Sequence, residues 1–156
     1  MLQQLERLGI AADGRFATAE ELQFVKTYLD SIETRLSAYE KIRDESDRIV
    51  EEWEETKHAR PEDLFHLNGR DVTSITRRDI TNVLRLSANT MLFDDLDRLR
   101  DGFLIWFQTI AKAFRWQAHA RLNYRIVQDV IRHYLTPEEV AIILPAFQLE
   151  DMMLGG

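Results

Sequence analysis

Residues 11–39 read AADGRFATAEELQFVKTYLDSIETRLSAY. Asp13-Gly14 is a turn dipeptide, since glycine adopts the positive φ that tight turns need. Thr18 followed by Glu21 is a capping box: hydroxyl and carboxylate each satisfy an orphan amide at a helix start. Leu22, Val25, Leu29, Ile32, Leu36 and Tyr39 then recur at steps of three and four, one apolar face of a helix about five turns long. Upstream, Leu2, Leu5 and Leu8 predict a short amphipathic helix over residues 2–10. Downstream the pattern continues less cleanly through Ile42, Ile49, Val50 and Trp53, which predicts a bend between Lys41 and Arg48. Glu51, Glu52, Glu54 and Glu55 form a solvated acidic face.

The rest of the chain also reads as helix. The whole sequence holds only 6 Gly and 3 Pro, and no stretch alternates long enough to predict a strand. Residues 58–73, with Pro61 and Asn68-Gly69, form the main irregular connection. A helix over about residues 76–92 would turn Ile80, Val83, Leu84, Ser87, Ala88 and Met91 inward. After a break at Asp94-Asp95, Leu96, Leu99, Phe103, Trp106, Phe107 and Ile110 make a strong apolar stripe toward Phe114. The next helix, about 115–134, carries Trp116, Ala120, Tyr124, Val127, Ile131 and Tyr134 on one side. The aromatics Trp106, Trp116, Tyr124 and Tyr134 read as core before cofactor box. Thr136-Pro137-Glu138-Glu139 starts a last helix, which Pro145 should keep short. Residues 1–154 thus form one helical domain, with Gly155 and Gly156 as a tail.

Composition excludes several kinds of chemistry. There is no cysteine, hence no disulfide, thiolate metal site or thioether-linked cofactor. The 27 acidic and 20 basic residues leave a net charge of −7, opposite to a nucleic-acid footprint. No apolar run approaches the roughly 18 residues of a membrane span. MLQQLERLGI lacks the signature of a secretory leader, so a cytoplasmic protein is expected. His119 and His133 lie about 21 Å apart along one helix and cannot share a metal. His58 and His66 in the connection lack further ligand spacing. With no phosphate-cradling loop, nucleophile elbow or metalloprotease helix motif, no enzyme and no metal site are expected. One surface feature invites a partner: Arg121, Arg125, Gln128 and Arg132 make a basic stripe at steps of four, three and four. It could dock an acidic surface or simply be a solvated helix face.

Periodicity alone yields six or seven unequal helices and an all-α class, without choosing a topology. The choice comes from a resemblance. Ala11-Ala12-Asp13-Gly14-Arg15-Phe16-Ala17-Thr18, Glu21-Leu22 and Glu33-Thr34-Arg35-Leu36 resemble the opening of phycobiliprotein subunits. Arg78-Asp79, Leu84-Arg85, Ala88, Met91-Leu92 and Asp95 resemble the family's central chromophore-bearing helix and the turn after it, and Leu99 and Phe103-Leu104 continue in register. The resemblance spans roughly residues 2–57 and 74–112 and implies a globin-like phycobiliprotein fold with an N-terminal helical extension.

In that family a cysteine two residues before the Arg-Asp pair attaches the bilin. Thr76 stands there, and a hydroxyl cannot replace a thiol in that addition, so a covalent bilin is excluded. Arg78 would pair with a propionate and Asp79 would accept pyrrole N–H groups, with Arg77 as a second cation. The residues alone equally allow Thr76 and Asp79 to be a capping box with solvated arginines. Arg85 matches an interface arginine of family heterodimers. Its partner aspartate reads Ala11, or Asp13 if the turn shifts, and a tyrosine position reads Asn89, so assembly into a light-harvesting ring is not expected. These departures resemble chromophore-poor cyanobacterial relatives such as the bilin biosynthesis-associated globins. That resemblance implies a regulator or carrier with a non-covalent linear tetrapyrrole, bilin-pathway enzymes as partners, and a monomer or homodimer. The alternatives are a pigment-free adaptor and a haem-binding globin, which needs one histidine.

Overall fold

The computed structural model describes residues 1–156. The capping box at Thr18 forms: Glu21 N–H donates to Thr18 Oγ1 at 3.2 Å and Thr18 N–H to Glu21 Oε2 at 2.8 Å. It closes a hydrogen-bonded turn over residues 19–22 before helix α2. Helix α1 spans Leu2–Ala11, α2 Gln23–Asp30, α3 Ile32–Asp44 and α4 Ser46–His58. The expected bend falls at Glu45, and a second break, unread in the sequence, falls at Ser31.

That second break changes which face is buried. α3 turns Arg35, Ala38 and Ile42 inward, whereas Leu29 and Leu36 of the predicted stripe are 58% and 46% exposed. Arg35 explains the rotation. Its guanidinium bonds the carbonyl of Met91 and, at 2.8 Å, Ser31 Oγ, and lies 5.5 Å from the Tyr28 ring centroid. A charged group so satisfied holds an inward position that apolar periodicity cannot reveal.

The expectation of a strand-free chain is corrected by a short hairpin, β1 His66–Leu67 and β2 Arg70–Asp71, antiparallel. Asn68 and Gly69 both have positive φ, 52° and 76°, which is what a two-residue hairpin turn with the strands' own twist requires. Strands of two residues are too short for alternation to show.

Helix α5 spans Thr73–Phe93 and buries all six residues expected inward. It begins three residues early because Asp71 accepts the Thr73 amide at 2.8 Å and its hydroxyl at 2.6 Å. Thr76 is therefore inside the helix, its hydroxyl donating to Thr73 O, and Thr76/Asp79 is not a capping box.

α6 spans Leu96–Leu99 and α7 Ile105–Ala113, joined by a π-helical turn over Arg100–Leu104. This wider turn re-aims the apolar stripe. Leu99, Leu104 and Ala111 are buried, while Trp106 and Phe114 are 60% and 61% exposed. Arg115, at φ 55°, turns the chain into α8, Gln117–Val130, continued by a 3₁₀ turn over Ile131–His133. Helix α9 runs from Pro137 to Leu154, so Pro145 does not shorten it. Pro145 is exposed, and water can satisfy the carbonyl it leaves unpaired. The Thr136/Glu139 capping box forms as expected.

One cluster of 25 buried apolar residues links α3, α4, α5, α6, α8 and α9. Within it Glu150 is fully buried, accepting Ser87 Oγ at 2.9 Å. Burial raises its carboxyl well above the ordinary range, since a charged carboxylate is disfavoured away from water. No helix is long and apolar enough to cross a membrane.

Candidate functional site

Helix α5, the π turn with α7, and α8 border a cavity of about 440 Å³, within the size range of ligand sites. One face of α5 supplies Thr76, Arg78, Asp79, Asn82 and Arg85. Phe103, Trp106 and Phe107 form the opposite wall, and Trp116, Asn123 and Tyr124 close the end. A second recess of about 680 Å³ shares Arg78, Asp79, Trp106, Phe107 and Trp116, and extends to Arg70 of the hairpin and Phe114. The site is therefore an elongated aromatic trough with cations on its α5 side.

Its aromatic wall is ordered by mutual contact. Phe103 and Phe107 stack with centroids 5.1 Å apart, and Trp116 meets Phe107 edge-on at 5.8 Å. Such geometries add about 0.5–1.5 kcal/mol per pair beyond burial. Trp116 Nε1 and Asn123 Oδ1 have no hydrogen-bond partner, leaving a donor and an acceptor unspent on lining residues. Burial keeps the Tyr124 hydroxyl well above its usual range and hence neutral.

Arg78 donates to Asp79 Oδ1 at 3.1 and 3.3 Å. The arginine is 70% exposed and the aspartate only 21%, so Asp79 faces the trough and Arg78 stands at its mouth. Arg77 does not join them: it pairs with Glu54 of α4 and lines neither cavity. Arg85 borders the cavity and bonds Asn82 Oδ1 at 3.1 Å.

The family model described as phycobilisome protein matches residues 9–150. This chain belongs to the phycobilisome protein family. No curated protein matches it. Seen as a phycobilisome protein, the chain places Thr76, where the resemblance puts the bilin cysteine, on the cavity wall at 3% exposure. Its oxygen accepts a hydrogen bond from Lys57 Nζ at 3.1 Å.

Most of the trough lies outside the predicted site. Trp106 and Trp116 were expected in the core and instead line the cavity, with Phe103 and Phe107. Tyr124 is buried as expected, and Tyr134 is half-buried, donating to Glu52 at 2.7 Å. No sequence signal marks the π turn that re-aims the aromatics. Lys57 and Asn123 likewise follow no motif. Of the basic stripe, Arg121 is tied to the Gly155 carbonyl, whereas Arg125 and Arg132 are exposed. None of the four histidines lines the trough: His58 stacks on Phe65, His66 meets Asp63, His119 the His66 carbonyl and His133 Glu52.

Proposed function

We propose that this phycobilisome protein holds a linear tetrapyrrole without a covalent bond and acts in the cytoplasm as a carrier or regulator beside bilin-forming enzymes. The observation that carries the reading is the trough itself: an elongated aromatic slot with one inward carboxylate and arginines at its rim. A flat, conjugated, chiefly apolar ligand would stack on Phe107, Trp106 and Trp116 and exclude water. Asp79 would accept its pyrrole N–H groups, and Arg78 would take a propionate as a bidentate fork. Thr76 supplies no sulfur, so the ligand would leave on denaturation.

Titration with biliverdin, and co-expression with enzymes that make bilins, tests this. Expected are quenching of tryptophan fluorescence, a red-shifted visible band, and pigment that separates completely in denaturant. Purified protein that stays colourless and unquenched overturns the reading.

A second reading, a protein-binding adaptor, has its own observation. Ile10, Phe16 and Leu29 of the N-terminal region are 75%, 98% and 58% exposed, large apolar groups that a partner surface would cover. Their occupant in this reading is a second copy of the chain. Arg125 and Arg132 remain open to an acidic partner enzyme. Reversing both to Glu should slow that association and remove its salt sensitivity, since exposed charges steer encounter.

A further inference from the structure

Lys57 is the one lysine in the protein's interior, 1% exposed at the end of α4. Its ammonium has a single oxygen partner, Thr76 Oγ1 at 3.1 Å. Otherwise it faces aromatic rings, Phe65 at 4.4 Å and Trp53 at 4.8 Å. Every carboxylate around it is committed elsewhere. Glu54, on its own helix, pairs with Arg77 of α5. Asp63 of the connection holds His66 and the amides of Phe65 and His66. Asp71 of the hairpin holds Thr73. α8 meets this cluster through a neutral contact, the Asn123 carbonyl on Trp53 Nε1.

An unpaired buried ammonium is costly, and the two aromatic faces offset only part of that cost. Burial accordingly lowers Lys57 from 10.5 to about 8. Lys57 is not a wall of the cavity, but Thr76 is. The Thr76 hydroxyl now donates to the Thr73 carbonyl while accepting from Lys57. Rotated about its C–O bond, it could donate into the cavity and still accept from the amine.

We infer that the cavity is built for an organic acid seated with a carboxylate on Thr76, and that Lys57 is the hidden counter-ion of that carboxylate, acting through the threonine hydroxyl. The inference rests on the trough holding a ligand and adds where one acid group goes. Arg78 at the mouth takes one carboxylate of a dicarboxylic tetrapyrrole, and the Lys57–Thr76 pair takes the other. Lys57 is thus a positioning residue. Because an anion favours the charged amine, binding above about pH 8 should draw a proton onto Lys57.

The experiment is a binding titration of biliverdin and its dimethyl ester, about pH 7–10, on wild type and Lys57→Met. For the acid, wild type should bind evenly up to about pH 8 and then weaken by up to tenfold per unit, with proton uptake seen as buffer-dependent heat. Lys57→Met should bind it about tenfold more weakly at pH 7 and show no such bend, while both proteins bind the ester alike. Thermal melting at an equal or higher temperature verifies that the variant is folded. Should it fail to fold, the acid–ester contrast on wild type decides: a bend with the acid alone supports the inference, and a shared or absent bend overturns it. Tight binding with identical profiles in wild type and variant overturns the role of Lys57 and leaves the carrier reading standing. No binding of either probe by wild type overturns both.

Discussion

Asp79 and Arg78 are neighbours on α5 with unequal exposure, so their substitutions should separate. Asp79→Asn removes the charge that would order the pyrrole N–H groups, and a bound bilin should lose or blue-shift its long-wavelength band in an absorption spectrum. Arg78→Ala should leave the spectrum in place and weaken binding by only about 0.5–1 kcal/mol, because a 70% exposed guanidinium is screened by water. Unchanged spectra and affinities in both would place the ligand elsewhere. Glu150 allows a test without any ligand. Its folded pKa is raised, so as pH climbs past the unfolded value the unfolded chain releases a proton that the native state keeps, and stability falls by up to about 1.4 kcal/mol per pH unit. Glu150→Gln keeps an acceptor for Ser87 and should flatten that slope in denaturant melts as pH rises above about 5. The Arg78-Asp79 pair could be read from the chain because a motif spans it. Glu150 and Lys57 could not: their chemistry comes from burial, which adjacent residues do not encode.

Among the elements, those with local chemical signals came through with their boundaries nearly intact. Thr136-Pro137-Glu138-Glu139 formed its box, and the apolar face of α5 is the face buried. Pro145 misled because a proline's effect depends on whether water reaches the carbonyl it frees. The stripe from Leu96 to Phe114 misled because one π turn changes the helical period between its two halves. The box at Thr136 also joins elements far apart in sequence. Glu139, 3% exposed, accepts Lys41 Nζ at 2.8 Å and Ser37 Oγ at 2.7 Å from α3. Those bonds hold its carboxyl below the ordinary range against the opposing effect of burial. Glu139→Ala should therefore cost more than a lost cap, roughly 2–3 kcal/mol in urea unfolding. Thr136→Ala should cost about 1 kcal/mol. Equal losses would mean that the link to α3 contributes nothing.

For the whole molecule, helical class followed from few breakers and steps of three and four, but which helix lies on which did not. That arrangement depends on contacts such as Arg35 with Met91 O and Trp53 with Asn123 O, which join residues distant in the chain. The resemblance supplied the topology instead, and the family match, over residues 9–150, spans the core helices. The N-terminal region is different in kind, since none of the residues of α1 or α2 is buried. If that surface joins two copies, sedimentation equilibrium should give a dimer, and Phe16→Ser with Leu29→Lys should give a monomer with an unchanged melting temperature. A wild type that sediments as a monomer at all concentrations removes the homodimer.

The π turn at Arg100–Leu104 also bears on how the chain tolerates insertions and deletions. A π turn inside a helix holds one residue more than an α turn would. Gly102 is exposed, and nothing lies within 4 Å of where a side chain there would begin. Deleting Gly102 should let the helix close up into regular α geometry, with both flanks kept near their present orientation. Deleting a residue such as Thr109 would instead rotate the remainder of α7 by about 100° and swing Phe114 out of the trough. This segment is therefore where a related gene could be one codon shorter without losing the wall that Trp106 and Phe107 build.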